Sequence, residues 1–228
     1  MGTTKKTRTL YRPVGLGEMV QILEADASGF PPRRPEQPIF YPVLTREYAE
    51  QIAQRWNAPS ATSGYAGFVT AFEIDAKYAT RFKAHVAGSP TVHRELWVPA
   101  ERLEDFNKHL VGPIAVVSAH YGAGYIGPTP RPSMLKGRTA HDQLPSLERI
   151  LDYNGVDFML EIRVQRLVVQ LNFAYWVRTD FTADGLSLSQ KVSLLQDVQH
   201  VWSEAFPEVA LIGSDELQAL ASQAVSED

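Results

Sequence analysis

The stretch that decides the fold is VDFMLEIRVQRLVVQLNFAYWVR, residues 156–178. Two readings compete for it. In its second half Val169, Leu171, Phe173, Tyr175 and Val177 recur with period two, against Gln170, Asn172 and Arg178, as in a half-buried strand. Leu167, Val168 and Leu171 also fit the 3.6-residue period of one long helix starting near Val164. β-Branched and aromatic side chains dominate, and these pack well on a pleated surface. The expectation is therefore two strands joined near Gln165-Arg166, although that dipeptide makes a poor hairpin turn.

The flanks extend this pattern. Upstream, Ser146 can cap a helix over LERILDYN, which Gly155 would end. Downstream, Ser187 or Ser189 opens a helix to about Ala205, with Val192, Leu195, Val198 and Trp202 facing inward and Pro207 stopping it. VALIG (209–213) reads as a short strand, and Ser214 with Asp215 and Glu216 opens a last helix. Residues 146–228 thus read as an α-β-β-α-β-α domain.

Residues 120–145 differ in composition. Glycine, proline, lysine, arginine and threonine dominate without hydrophobic period, which predicts a linker or long surface loop. Its start, within VVSAHYGAGYIGPTPRPS (116–133), spells a formal G-x-G-x-x-G at Gly122, Gly124 and Gly127. A dinucleotide loop needs a helix to begin at those glycines, so that its N–H groups meet the pyrophosphate. Here Pro128, Pro130 and Pro132 follow instead, and alternate prolines cannot propagate a helix. The run reads as a joint. Arg131, Lys136, Arg138 and His141, near Tyr121 and Tyr125, could touch nucleic acid, but a formal net charge of −4 over 228 residues disfavours that partner.

The first half mixes strands and short helices. Residues 1–9 read as a disordered tail and 10–119 as an α+β domain. GEMVQILEA (17–25) is amphipathic, and FPPRRPEQP (30–38) is too proline-rich for helix or central strand. IFYPV (39–43) reads as a short edge strand. Thr45 caps a helix to about Asn57, with Ala49, Ile52, Ala53 and Trp56 as its buried stripe. YAGFVTAFEID (65–75) alternates as a strand, with a helical turn after Asp75. TVHRELWV (91–98) alternates too, with His93, Glu95 and Trp97 on one face. Leu103, Phe106 and Leu110 mark a helix after Pro99, and PIAVVSA (113–119) a closing strand. The fold class is α+β, with two mixed subdomains.

With no cysteine, disulfides, thiolate nucleophiles and cysteine-based metal sites are excluded. None of the six histidines stands four residues from another, and no metal site is expected. Neither G-x-S-x-G nor a P-loop is present. No run approaches the ~18 apolar residues that span a bilayer, and MGTTKKTRT lacks the apolar core of a secretory signal. A cytoplasmic protein without membrane partner is expected.

One constellation carries chemistry: Tyr11-Arg12, then FYPVLTREYA, then His93-Arg94-Glu95. In this order it resembles ADP-ribosyltransferase-like domains. The longer string LYRPVG…FPPR…PEQPIFYPVL…HRELWVPAERLEDFN…VGPI also resembles small bacterial proteins labelled ADP-ribosylation/crystallin J1-like, over about residues 10–117. The resemblance implies an NAD cleft. Arg12, with Tyr11 beside it, would hold the pyrophosphate or ribose, Tyr41 and Thr45 would position the nicotinamide, and Glu95 would be the catalytic carboxylate with His93 beside it. The sequence departs from that family in lacking Ser-Thr-Ser in the middle segment and in carrying His93 where arginine-modifying members have Glu or Gln. The alternative is a non-catalytic interaction protein, an immunity or toxin-associated partner, with Trp176 and Trp202 as anchors in the second half. Oligomeric state is not legible.

Overall fold

In the structure, a computed structural model that describes residues 6–224, the chain divides into two compact units, residues 1–125 and 126–228. The first is α+β. Its elements are β1 (Thr7–Val14), α1 (Leu16–Glu24), β2 (Ile39–Phe40), α2 (Arg46–Ile52), β3 (Ala66–Asp75), α3 (Ala76–Ala79), β4 (Ala84–Val86), β5 (Arg94–Leu96), β6 (Val98–Pro99), α4 (Leu103–Asn107) and β7 (Leu110–Tyr121). Thr7–Thr9, expected in a disordered tail, already belong to β1 and pair with Glu73–Asp75; residues 1–5 of that tail lie outside the described residues.

β1, β3 and β7 form an antiparallel sheet with β3 in the centre. Residues 39–44 extend it. They run antiparallel to 94–99 in one register: Ile39 opposite Pro99, Phe40 opposite Val98, Val43 opposite Glu95. Val43 also exchanges both backbone bonds with Tyr11, so this segment joins β1 to β5. Pro42 has no N–H and interrupts the ladder, although its carbonyl still accepts from Leu96 N at 2.8 Å.

Alternation gives the sheet two dissimilar faces. On one, Leu10, Val14, Phe72 and Ile74 pack with Met19 and Ile22 of α1 and with a cluster of rings, Phe30–Phe40 at 4.8 Å and Phe40–Phe106 at 5.4 Å. On the other, α2 lies over Val43 and Val69 through Ala49 and Ala53, with Tyr11, Tyr48 and Ile52 partly buried around them. Trp56, expected in that stripe, is exposed instead. After Ile52 the helix continues as a π-helical turn, Ala53–Asn57, closed by Ala58 N to Ala53 O at 2.9 Å. The added residue per turn rotates Trp56 off the buried side.

The second unit corrects the expected α-β-β-α-β-α pattern: among the described residues it contains helices and no strand. They are α5 (Ala140–Tyr153), α6 (Gly155–Val164), α7 (Arg166–Arg178), α8 (Leu188–Ala205) and α9 (Ser214–Ala224). Residues 156–178 are therefore two helices, and 209–213 are irregular, ending in a turn at Ile212-Gly213. α7 explains the error. Val168, Val169, Leu171, Asn172, Phe173, Ala174, Trp176 and Val177 are all buried, so α7 is enclosed on nearly every side. A helix apolar all round matches period two as readily as 3.6, and burial overrides β-propensity.

The start of α5 also differs. Thr139 caps it in a reciprocal box with Asp142, Pro145 lies inside it, and Ser146 bonds back to Asp142 O at 2.7 Å rather than capping. Gly155 opens α6 instead of closing α5, since Asn154 caps α6 by accepting from Val156 N. Ser187 caps α8 as expected, with Gln190 completing the box.

The segment before α5 is folded onto the helices rather than loose. Gln165, at the α6–α7 junction, clasps the backbone of Arg131 through both amide atoms, at 3.0 and 2.9 Å. Glu161 accepts from Ser133 Oγ and from Leu135 N, and Leu135 is wholly buried. The glycine run is a matter of packing. β7 ends at Tyr121 and no helix begins at the glycines; the next helix opens at Ala140, which packs against Gly127 and donates its N–H to Ile126 O at 2.8 Å. A Cβ on Gly122 would stand 2.0 Å from Ala58 O, and Gly127 has φ +80°.

Candidate functional site

The bridges Tyr11–Val43–Glu95 set these three residues side by side across adjacent strands, so their side chains share the α2 face. Tyr41 and Trp97, each two residues along, belong to the same face. Trp97 is the centre of the arrangement. Its indole N–H donates to Glu95 Oε1 at 2.8 Å, the Tyr41 ring meets it edge-on at 5.9 Å, and His85 of β4 stacks on it at 4.0 Å. Tyr41 and Trp97 remain 37 % and 43 % exposed. The result is an open aromatic ledge with one fixed carboxylate. Tyr48 of α2 lies within electrostatic reach: burial, and secondarily the Glu95 charge, raise its phenol pKa.

His93 and Thr45 are occupied by structure. Ser89 N–H donates to His93 Nδ1 at 3.0 Å, which assigns the Nε2–H tautomer, and Nε2 then donates to Gln51 Oε1 at 3.0 Å. The His93 ring also lies 4.7 Å from Tyr48. Thr45 caps α2 by accepting from Tyr48 N and donates to Val92 O at 2.8 Å, tying α2 to the strand that carries Glu95.

Arg12 does not join them. It alternates with Tyr11 and so projects from the opposite face. There it is 7 % exposed, with its guanidinium 4.5 Å over the Phe40 ring. Nε and Nη2 bond both oxygens of Glu18 at 2.6 and 3.0 Å, and Nη1 bonds Tyr41 O at 3.3 Å. Of the six expected site residues, five share one face and Arg12 lies behind it. Arg33, from the proline-rich loop, shares Glu18 with Arg12 at 3.6 Å and interacts with Tyr41; burial, then Arg12, lower its pKa. Two guanidiniums therefore share one carboxylate near Tyr41.

Trp97, His85 and Arg33 were not among the expected site residues. Trp97 was legible, because it alternates in phase with His93 and Glu95. His85 sits on a three-residue strand whose sequence, Ala-His-Val, gives no periodic signal. Arg33 lies in a loop, where sequence has no period to read.

Cavities also lie elsewhere. One of 640 Å³ in the first unit is lined by Gln21, Phe30, Pro31 and Asn107 and holds none of the expected residues. One of 580 Å³ in the second unit is walled by Phe181, Leu186 and Leu220 and includes Lys191. Lys191 is buried and donates to Val177 O at 3.0 Å and Thr179 O at 2.8 Å, closing the C-terminus of α7; burial lowers its pKa. Trp176 and Trp202, expected as interface anchors, are core residues whose indoles bond Ala140 O and Val209 O. Tyr125, expected as a possible stacking residue, is buried, and His141 pairs with Asp184 at 2.9 Å. Among the described residues no three His, Asp or Glu side chains gather as a metal site, and no helix is long and apolar enough to cross a membrane. Comparison with family models, curated proteins and solved structures returned no match.

Proposed function

We propose that the first unit binds NAD on the ledge of Tyr41, Trp97 and Glu95, and that Glu95 is the carboxylate of an ADP-ribosyltransferase-like reaction. The observation that carries this reading is the Trp97 indole bond to Glu95, which fixes a carboxylate beside two exposed aromatic rings. The rings offer faces and edges on which a planar nicotinamide or adenine can rest. Glu95 then accepts a hydrogen bond from a ribose hydroxyl. It stabilises the positive charge that develops on the sugar as the glycosidic C–N bond breaks and nicotinamide departs with the bonding pair. The acceptor nucleophile, or water, completes the new bond at the anomeric carbon and gives up its proton.

The role the resemblance assigned to Arg12 is left without a residue in this reading, since Arg12 and Arg33 are both held by Glu18. Tyr11 packs against the cluster of Val43, Ala49 and Val69, and Thr45 and His93 tie α2 to the segment leading into Glu95. The test is a thermal-shift titration with NAD, followed by chromatography for released nicotinamide. A ligand at 100 times its Kd adds about 2.7 kcal/mol of stability. The expected result is a saturable shift that Trp97→Ala abolishes, and nicotinamide release that Glu95→Gln abolishes. Absence of a shift at millimolar NAD would reject the reading and leave the ledge to a protein partner.

A further inference from the structure

We propose that the cavity of the second unit is a binding site for a monocarboxylic acid with an apolar body, whose carboxylate meets the ammonium of Lys191. At 580 Å³ the cavity has the size of small-molecule sites. Val177, Phe181, Leu186 and Leu220 line it, so much of its wall is apolar. Such a wall holds an apolar body, and a few placed polar groups select the head of the ligand. Lys191 is the polar group that does so here. It is 6 % exposed, a rare place for a lysine unless its charge is paired. Among the described residues no carboxylate stands at ion-pair distance from it.

The ammonium has three donors. Two are spent on Val177 O at 3.0 Å and Thr179 O at 2.8 Å. Val177 and Thr179 both line the cavity, as does Asp180, whose charge acts on Lys191. The ammonium therefore stands at this end of the cavity, with its third donor and its charge unmatched. Asp180 does not match them, because its carboxylate is bonded to the N–H and hydroxyl of Thr182. Lys191 also belongs to the N-terminal end of α8, where the helix dipole favours an anion. A ligand carboxylate supplies the charge-assisted bond that the buried ammonium lacks. One carboxylate is the limit. The other lining cation, Arg178, is already bonded to both oxygens of Glu216, at 2.7 and 2.5 Å. A second acidic group on the ligand would meet Asp180 with no cation to offset it.

The test is equilibrium dialysis of the full chain against radiolabelled octanoate, with octan-1-ol and octanedioate as unlabelled competitors. Wild type is expected to bind octanoate saturably at one site per chain. The neutral alcohol and the diacid are expected to compete about tenfold more weakly or worse, the cost of losing a hydrogen bond to a charged group. Lys191→Met keeps the length of the side chain without its charge and is expected to weaken octanoate binding by about tenfold or more. Because Lys191 also closes the end of α7, a second variant leaves it in place. Ala219 lines the cavity from the exposed side of α9, and Ala219→Trp is expected to block entry of octanoate with the helical circular dichroism unchanged. Absence of saturable binding at millimolar octanoate, a competitor as effective as octanoate itself, or undiminished binding by either folded variant would each overturn the proposal.

Discussion

The two units show opposite relations between burial and charge. In the first, the sheet sorts most of its residues: rings and aliphatic side chains behind, with the buried Arg12–Glu18 pair among them, and a fixed carboxylate and exposed aromatic residues in front. In the second, α7 is apolar on nearly every side, and α6 buries its glutamate while showing apolar residues outward. The lesson is that exposure follows the neighbours of an element rather than its composition. A strand with one packed face keeps its pattern; a helix surrounded by other helices loses it.

The largest effect that would sharpen this contrast comes from the second unit. Trp176→Ala removes a wholly buried indole and its bond to Ala140 O, and is expected to cost about 3–5 kcal/mol by chemical denaturation. A loss below about 1 kcal/mol would mean that the helices do not pack around this ring.

A smaller effect separates the two faces of the sheet. Arg12→Ala removes a buried guanidinium from the Phe40 ring and leaves Glu18 of α1 with Arg33 alone, and is expected to cost about 2 kcal/mol. Glu95→Gln, on the open ledge, should stay within about 0.5 kcal/mol of wild type. Equal losses at the two positions would break the distinction between a buried structural arginine and a carboxylate on the open ledge.

The smallest effect concerns acid. Burial works against the charge of Glu50, but hydrogen bonds from His120, Ser118 and Arg46 prevail and lower its pKa below 4.5. A carboxyl with a depressed folded-state pKa contributes stability above its unfolded value, and loses it as pH falls through the folded one. Glu50→Gln should therefore flatten the stability curve below about pH 4.5 while costing about 1 kcal/mol or less at neutral pH. An unchanged acid limb in equilibrium unfolding would show that this cluster does not hold α2 to β7.

Sequence by itself determined some of the caps and the elements with one buried face, but it mistook Ser146 for the cap of α5, where Thr139 stands. Thr45 and Ser187 cap helices because a short side-chain oxygen before an apolar period has few other uses. The alternation of residues 66–75 gave the central strand, and that of 93–97 placed Glu95 and Trp97 on one face. The prolines after Gly127 were enough to deny a dinucleotide loop. Tertiary structure alone decided the rest. Residues 166–178 became a helix because enclosure by α5, α8 and α9 rewards apolar residues at nearly every angle, which erases the period. Arg12 and Glu95 parted because the side a residue takes depends on register, and the register of residues 39–44 is set by pairing with two strands distant in sequence. Local patterns survive where one neighbour acts on each residue; where several do, only their arrangement in space settles the outcome.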